Sequence, residues 1–368
     1  MTINASVLIY AINRTDKWWQ FIANNCNFSK HVVVSDIRGA GDRNIVDAFN
    51  EAYWCQYRYN DVQTLVFREA EIKEIIARCR LLRWLPPKQA RSMVAAMERA
   101  FFDVLEDVRP DIVVSLPIDR YVSDVLERLA FKKGIPYVEL TASPFSEKSM
   151  LMRRGQLLKV NTSPSDTIIQ DQIRTITNPS FVPQYVKNTV QYTYHRWFRI
   201  FFYFKLRAIV FKVISWVKRD LRSLHYLDAQ SFLAHKPRLS DLQTLTLIDR
   251  NWLSTVEQFP KSRRIFFGLQ VFPEAAIDYW LPEIDLIDYE NLVLKAALAF
   301  SKKGYLIVVK DHPSQFGFRQ HEFIKRLKSI PNVIFLPYEV TGNEVLNLVG
   351  NNFTFTGTTG LQAALLGL

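Results

Sequence analysis

Two short motifs combine residue types suited to holding a phosphate-bearing ligand. Lys310-Asp311-His312-Pro313 offers a cation and an imidazole, and the proline enforces an extended backbone at His312. Thr356-Gly357-Thr358-Thr359-Gly360 offers a glycine-bounded turn, hydroxyls and the N–H groups of a helix start, a combination that attracts anions. Each follows an apolar run that reads as a buried strand, Tyr305 to Val309 and Asn352 to Phe355. The carboxyl ends of parallel strands are where open α/β sheets bind ligands. A third motif, Gln270-Val271-Phe272-Pro273-Glu274, follows the strand Ile265 to Leu269 and ends in a carboxylate able to act as nucleophile or base at a sugar anomeric carbon. Each motif also has a structural reading. His312 can cap a turn, the threonines can cap a helix, and Glu274 can complement a helix dipole.

These motifs need a scaffold, and the pattern of the chain supplies one. Residues 6–12, 31–36, 62–67, 112–115 and 137–140 read as strands, alternating with helical stretches at 15–25, 45–57, 70–82, 88–108 and 119–133. From 264 onward the alternation resumes, with strands at 265–269, 305–309, 333–336 and 352–355. Strand–helix alternation argues for parallel, doubly wound sheets, hence an α/β chain of two Rossmann-like domains facing a cleft. The expected division is an acceptor domain over 1–160, a helical insertion or linker over 161–260, and a nucleotide-sugar domain over 261–368. In the first domain Asp119-Arg120 follows a strand, so Asp119 is a second candidate catalytic carboxylate, although it could equally cap the helix 119–133. Asp36, Arg38 and Glu139 also fall at or near strand ends, where an acceptor would be met. Gly39-Ala40-Gly41 lacks the third glycine of a dinucleotide fingerprint.

A chain of 368 residues with 48% apolar and 23% charged residues is an ordinary globular composition. Its net charge of +11 favours anionic partners. Cys26, Cys55 and Cys79 lack metal-ligand spacing and read as reduced thiols. No apolar run suffices for a transmembrane helix, and Val7 to Ile12 is too short for a signal peptide. The run Ala363–Leu368 reads as the middle of a helix-to-strand passage, so a further strand and helix are expected beyond it.

One segment stands apart. Residues 191–235 read as one long helical pattern, and Arg196 to Arg222 holds eight basic residues, eight aromatics and a single acid, Asp220. At about 100° per residue, Phe198, Phe202, Leu206, Ile209, Val213, Trp216 and Val217 share a face, and Lys205, Arg207, Lys212, Lys218, Arg219 and Arg222 fall largely on the other. That pattern suits a helix lying on an anionic bilayer. No nucleic-acid motif accompanies the charge, so no nucleic-acid partner is expected.

Taken in order, the motifs at 270–274, 310–313 and 356–363 resemble the bacterial capsule polysaccharide biosynthesis glycosyltransferases, which include Kdo transferases using CMP-Kdo. The resemblance is best over 264–368 and loose over 1–160. It implies a GT-B fold, with Lys310 and His312 on the nucleotide phosphate and Thr356, Thr358, Thr359 and Gly360 on the opposite loop. Gln270 and Glu274 would then line the donor sugar, Glu274 standing where relatives carry aspartate. The implied activity is metal-independent transfer of a sugar from a nucleotide-activated donor to a surface-polysaccharide or lipid-linked acceptor, with no cofactor, at the cytoplasmic face of the membrane. A silent scaffold of a polysaccharide assembly complex, or another nucleotide-sugar enzyme such as an epimerase, is the alternative.

Overall fold

The computed structural model describes residues 3–59, 64–145, 147–160, 163–178, 180, 181, 193–218, 238–272 and 274–368. Eleven strands among them form two sheets. The first holds β1 (Ile3–Ala11), β2 (Phe28–Ser35), β3 (Arg43–Asn44), β4 (Ile112–Ser115), β5 (Tyr137–Ala142), β6 (Ser149–Arg153) and β7 (Gln156–Leu157), in the order β3-β2-β1-β4-β5-β6-β7. Pairing is parallel from β3 to β5 and antiparallel across β5-β6-β7. The second holds β8 (Arg264–Gly268), β9 (Leu306–Lys310), β10 (Val333–Phe335) and β11 (Asn351–Phe353), all parallel, in the order β10-β9-β8-β11. This is an α/β chain with two Rossmann-like, doubly wound units, the GT-B type of architecture.

The strands are central because they are apolar on both faces. Every residue of β9 is buried, as a parallel strand covered by helices on each side requires. In the first unit the covering helices are α1 (Asp16–Asn25), α2 (Val46–Tyr59), α3 (Glu69–Arg78), α4 (Pro87–Val108) and α5 (Tyr121–Lys132). Pro86-Pro87 separates α3 from α4, and Pro87 takes the first turn of α4, where its missing N–H costs nothing. Beyond the hairpin come α6 (Asp166–Thr177), α7 (Tyr194–Lys218) and α8 (Trp252–Glu257). The second unit is covered by α9 (Ala275–Asp278), α10 (Tyr289–Lys302), α11 (His321–Lys328), α12 (Gly342–Leu348) and α13 (Thr358–Leu365).

Three expectations change. The strand expected over 62–67 is not one where the chain is described. The N–H groups of Leu65, Val66 and Phe67 instead donate to the carboxylate of Glu98, buried on α4. The stretch after residue 141, where no strand was expected, adds the hairpin β6–β7 to the sheet. Asp119 does not cap α5, because that helix starts at Tyr121 with Arg120 at the cap position.

The long helical pattern is α7, rooted on the second unit by a face that the periodicity did not single out. Trp197 is 1% exposed, stacks on Phe201 and Phe318, and donates from Nε1 to Gly317 O at 2.7 Å. Gly317 has φ of 70°, and a Cβ there would lie 2.6 Å from the Trp197 ring, so only glycine fits. Phe198 and Phe202 are exposed. Lys205 lies over the Phe201 ring and Arg207 over the Tyr203 ring. The side chains of Lys212, Trp216 and Lys218, and the whole of Arg219 and Arg222, lie outside the described residues.

Glu98 satisfies three buried or half-buried N–H groups that no strand partner takes. Replacing it by Gln exchanges a doubly accepting carboxylate for one acceptor and a competing donor. Glu98→Gln is expected to lower unfolding free energy by about 1–3 kcal/mol, measured by urea denaturation.

Candidate functional site

The second sheet reverses direction between β8 and β11: the chain runs β8, β9, β10 outward, then returns to place β11 on the other side of β8. Such switch points open a crevice at the carboxyl ends of the strands. Gln270, two residues past β8, spans it. Its Nε2 donates to Thr356 O at 2.7 Å and to Thr354 Oγ1 at 3.2 Å, tying the two loops together. Gly357 adopts φ 96°, ψ 168°, a conformation open to glycine alone, and a Cβ there would lie 3.0 Å from Gln270 Oε1.

Gly357 is the N-cap of α13 and supplies no side-chain cap. Gly360 N–H turns back to Gly357 O, and the N–H groups of Thr358 and Thr359 precede the first intrahelical bonds. Thr356 Oγ1 is buried without a hydrogen-bond partner among the described residues. The Thr359 hydroxyl lies over Gly268 at the end of β8. A glycine-opened helix start and a neighbouring hydroxyl without a partner among the described residues make a candidate anion cradle. Its amide N–H groups and helix dipole would hold a phosphate.

The β9 side is built differently from what its sequence suggests. Asp311, not Lys310 or His312, is the centre. Its buried carboxylate pairs with Arg319, itself 0% exposed, through Nε at 3.1 Å and Nη2 at 2.6 Å, and accepts the Tyr338 hydroxyl at 2.8 Å. Arg319 also donates to Gln270 O, fixing the loop after β8. Neither Arg319 nor Tyr338 was singled out in the sequence, since a lone arginine before a helix and a tyrosine after a strand carry no local signature. Lys310 turns its buried ammonium to Asp311 O at 3.1 Å, and burial brings its pKa down to about 8. His312 caps the turn Pro313–Gln315, its Nδ1 accepting the Ser314 N–H. Burial lowers its pKa to about 4, so the ring is neutral at pH 7. With Nδ1 accepting, the proton sits on Nε2, leaving His312 a neutral donor and not a counter-charge.

The segments carrying the two carboxylates expected to be catalytic are linked through Arg80, which the sequence gave no reason to select. Its Nη2 donates to Asp119 O at 2.9 Å and its Nε pairs with Asp278 at 3.1 Å. Burial raises the pKa of Glu274, and the charge of Arg80 partly opposes that rise. Arg83 stands 3.5 Å from the buried Asp278 carboxylate, and Arg78 donates to the carbonyls of Asp278, Leu281 and Pro282. Three arginines of the first unit thus grip the segment after β8. They bring Glu274 to the end where β4 delivers Asp119, so the carboxyl edges of both sheets meet. The Asp119 carboxylate itself pairs with Arg120 at 2.9 Å and stays 42% exposed. Glu274 is half-buried and raised in pKa, four residues along the chain from Gln270.

Glu139 accepts the N–H of Arg154 at 2.6 Å and of Ile118 at 3.4 Å, and burial pushes its pKa up to about 7. Behind it a cavity of about 440 Å³ opens between α3, α5, the β6–β7 turn and residues 279–282. Six cations and three carboxylates line it, mostly bound to one another, and none of Gln270, Glu274, His312 or Thr356 does. The phosphate cradle is therefore a surface formed by loops, separate from this cavity.

No known family profile matches the chain, and no curated protein matches it by sequence. Among solved structures it is similar to the UDP-GlcNAc 2-epimerase of Neisseria meningitidis, at 12% identity over 96% of this chain and 78% of that one, with a TM-score of 0.25. The UDP-GlcNAc 2-epimerase of Methanocaldococcus jannaschii gives 12% identity over 98% and 82%, at 0.26. That of Rickettsia bellii gives 15% over 100% and 78%, at 0.25. A likeness of this degree carries no argument about substrate or reaction.

Two outcomes follow from the buried charges. Arg319→Met leaves the buried Asp311 carboxyl without its partner and is expected to cost about 3–5 kcal/mol in denaturant unfolding, with Asp311→Asn added to it restoring part of the loss. Glu139 binds its proton more tightly folded than unfolded. Its stabilisation is therefore complete below its ordinary pKa of 4.5 and is lost as pH rises through about 7. Glu139→Gln removes that dependence, so the stability difference between wild type and variant is expected to shift by roughly 2–3 kcal/mol between acid and pH 8.

Proposed function

We propose that this chain is a nucleotide-sugar enzyme. The N-terminus of α13, opened by Gly357 and braced by Gln270, receives the donor phosphates, and Glu274 works beside the bound sugar. The single observation that carries the reading is the helix start without a side-chain cap at the β8/β11 switch point, beside the Thr356 hydroxyl, which is buried with no hydrogen-bond partner among the described residues. Thr358 and Thr359 contribute backbone N–H groups, and His312 contributes a neutral Nε2 donor. Lys310 contributes a charge that acts through space, because its own ammonium is turned to backbone carbonyls. Fixed donors of this kind stabilise a departing nucleotide phosphate without reorganising.

The reaction we favour is glycosyl transfer from a nucleotide-activated donor, such as CMP-Kdo, to a glycan or glycolipid acceptor. Asp119 stands at the side from which the acceptor would approach. Sugar isomerisation on the same cradle is the second reading, and one observation favours it. Burial raises the pKa of Glu274, and a carboxyl whose protonated form is favoured in this way suits proton transfer as well as nucleophilic attack.

Thermal unfolding in the presence of CMP, CDP, UDP and GDP tests the cradle. A rise in midpoint with one nucleotide is expected, lost in Gly357→Ala and reduced in Thr356→Val. No rise with any of them would sink the nucleotide reading. Incubation of the binding nucleotide's sugars in D2O then separates the reactions. Deuterium entering the sugar without acceptor indicates isomerisation, whereas nucleotide release that requires an acceptor glycan indicates transfer. Glu274→Gln is expected to slow either reaction by about 10²–10⁴-fold.

A further inference from the structure

Helix α7 presents an apolar face that no described residue covers. Phe202, Leu206, Ile209, Val213 and Val217 are 54–66% exposed over four successive turns, while Trp197 and Phe201 on the adjoining face are buried against the second unit. A helix that only packed on a domain would bury its stripe, and one that only faced water would have no stripe. The 25 residues Tyr194–Lys218 contain six Lys or Arg and no Asp or Glu. Lys205 lies against Phe201 and Arg207 against Tyr203, at helix positions to either side of the exposed stripe. Long cationic side chains there can reach past the apolar band to a polar surface above it. No helix among the described residues is long and apolar enough to cross a membrane.

We propose that α7 binds an anionic lipid bilayer, lying in its surface with the Phe202–Val217 face in the acyl boundary and its cations on acidic headgroups. Charge selects this occupant. A second copy of the same helix would bring six like charges against six, whereas an anionic surface neutralises them, at about 1 kcal/mol for each cation near the surface. Apolar burial adds to this only where the face meets hydrocarbon. The root of the helix makes the consequence local. Trp197 is bonded to Gly317 and stacked on Phe318, and the Tyr194 ring meets Phe316, all on the loop that begins at His312. Bilayer binding thus holds the β9 loop near the lipid surface. If the nucleotide-sugar reading above is correct, the donor site is held there with it; the binding itself does not rest on that reading.

Co-sedimentation of the full chain with vesicles tests this. Binding is expected to phosphatidylcholine vesicles containing about one-quarter phosphatidylglycerol, and to be at least tenfold weaker with phosphatidylcholine alone or in high salt. Ile209→Asp/Val213→Asp, both at exposed positions, is expected to reduce binding at least tenfold while the thermal midpoint and any nucleotide-induced shift stay unchanged. Lys205→Glu/Arg207→Glu is expected to erase the preference for anionic vesicles. Equal binding by wild type and Ile209→Asp/Val213→Asp, or none to anionic vesicles, overturns the proposal. So does a wild-type dimer that the aspartate variant converts to a monomer, since a second copy would then cover the face. Each of these outcomes is independent of whether a nucleotide binds.

Discussion

The buried pair Arg319–Asp311 holds the carboxyl edge of the second sheet together. Asp311 follows β9, Tyr338 follows β10, and Gln270 follows β8, and one guanidinium with one carboxylate reaches all three. Gln270 then extends the net to Thr354 and Thr356 after β11. Four loops that diverge in sequence are thereby locked in one arrangement. An ion pair so deeply buried is weak evidence for stability, since its desolvation can exceed its attraction. Its value here is positional: it sets where Gly357 and the start of α13 stand.

A second cluster of arginines sets how the two sheets meet. Arg78, Arg80 and Arg83 come from the end of α3 and the turn after it, and all reach residues 278–282. Tyr279 follows, buried in the core of the first unit although it belongs to the segment after β8. Packing and charge therefore act together. The apolar anchor removes Asp278 from water, and the arginines compensate for the carboxylate so buried. Glu274 benefits indirectly, for it lies close enough to Arg80 to feel its charge and far enough to remain without a direct ion pair among the described contacts.

The third feature, α7, depends on the first. Its anchor is the loop between His312 and Arg319, whose shape the Asp311–Arg319 pair fixes, and Gly317 gives Trp197 room to lie flat on that loop. Rooted at one end by buried aromatics, the helix carries its exposed apolar face away from the body of the second unit. The same residue types thus serve two purposes along one helix, aromatic burial at the base and an open amphipathic surface beyond it.

Alternating apolar runs and helical periodicity determined the fold class from the sequence alone. A strand buried on both faces, such as β9, must be apolar throughout, and that is a local property of the chain. The glycine-bounded loop after β11 was legible for the same reason, because only glycine tolerates φ near 96°. The exposed positions Phe198 and Phe202 followed from periodicity. Other features were decided only by tertiary structure. Lys310 looked like a ligand-facing cation, but folding supplied nearby carbonyls and turned it inward. His312 looked like a phosphate contact, and burial keeps its imidazole neutral. Arg80, Arg319 and Tyr338 were invisible because their partners lie 198, 8 and 27 residues away in sequence, and nothing in a one-dimensional pattern marks which carboxylate an arginine will meet. Residues 64–67 had the composition of a strand, and the carboxylate of Glu98 took their N–H groups first. Periodicity records which face of an element is apolar. It does not record which polar atoms the fold will bring within hydrogen-bonding distance, and the chemistry of this site depends on that.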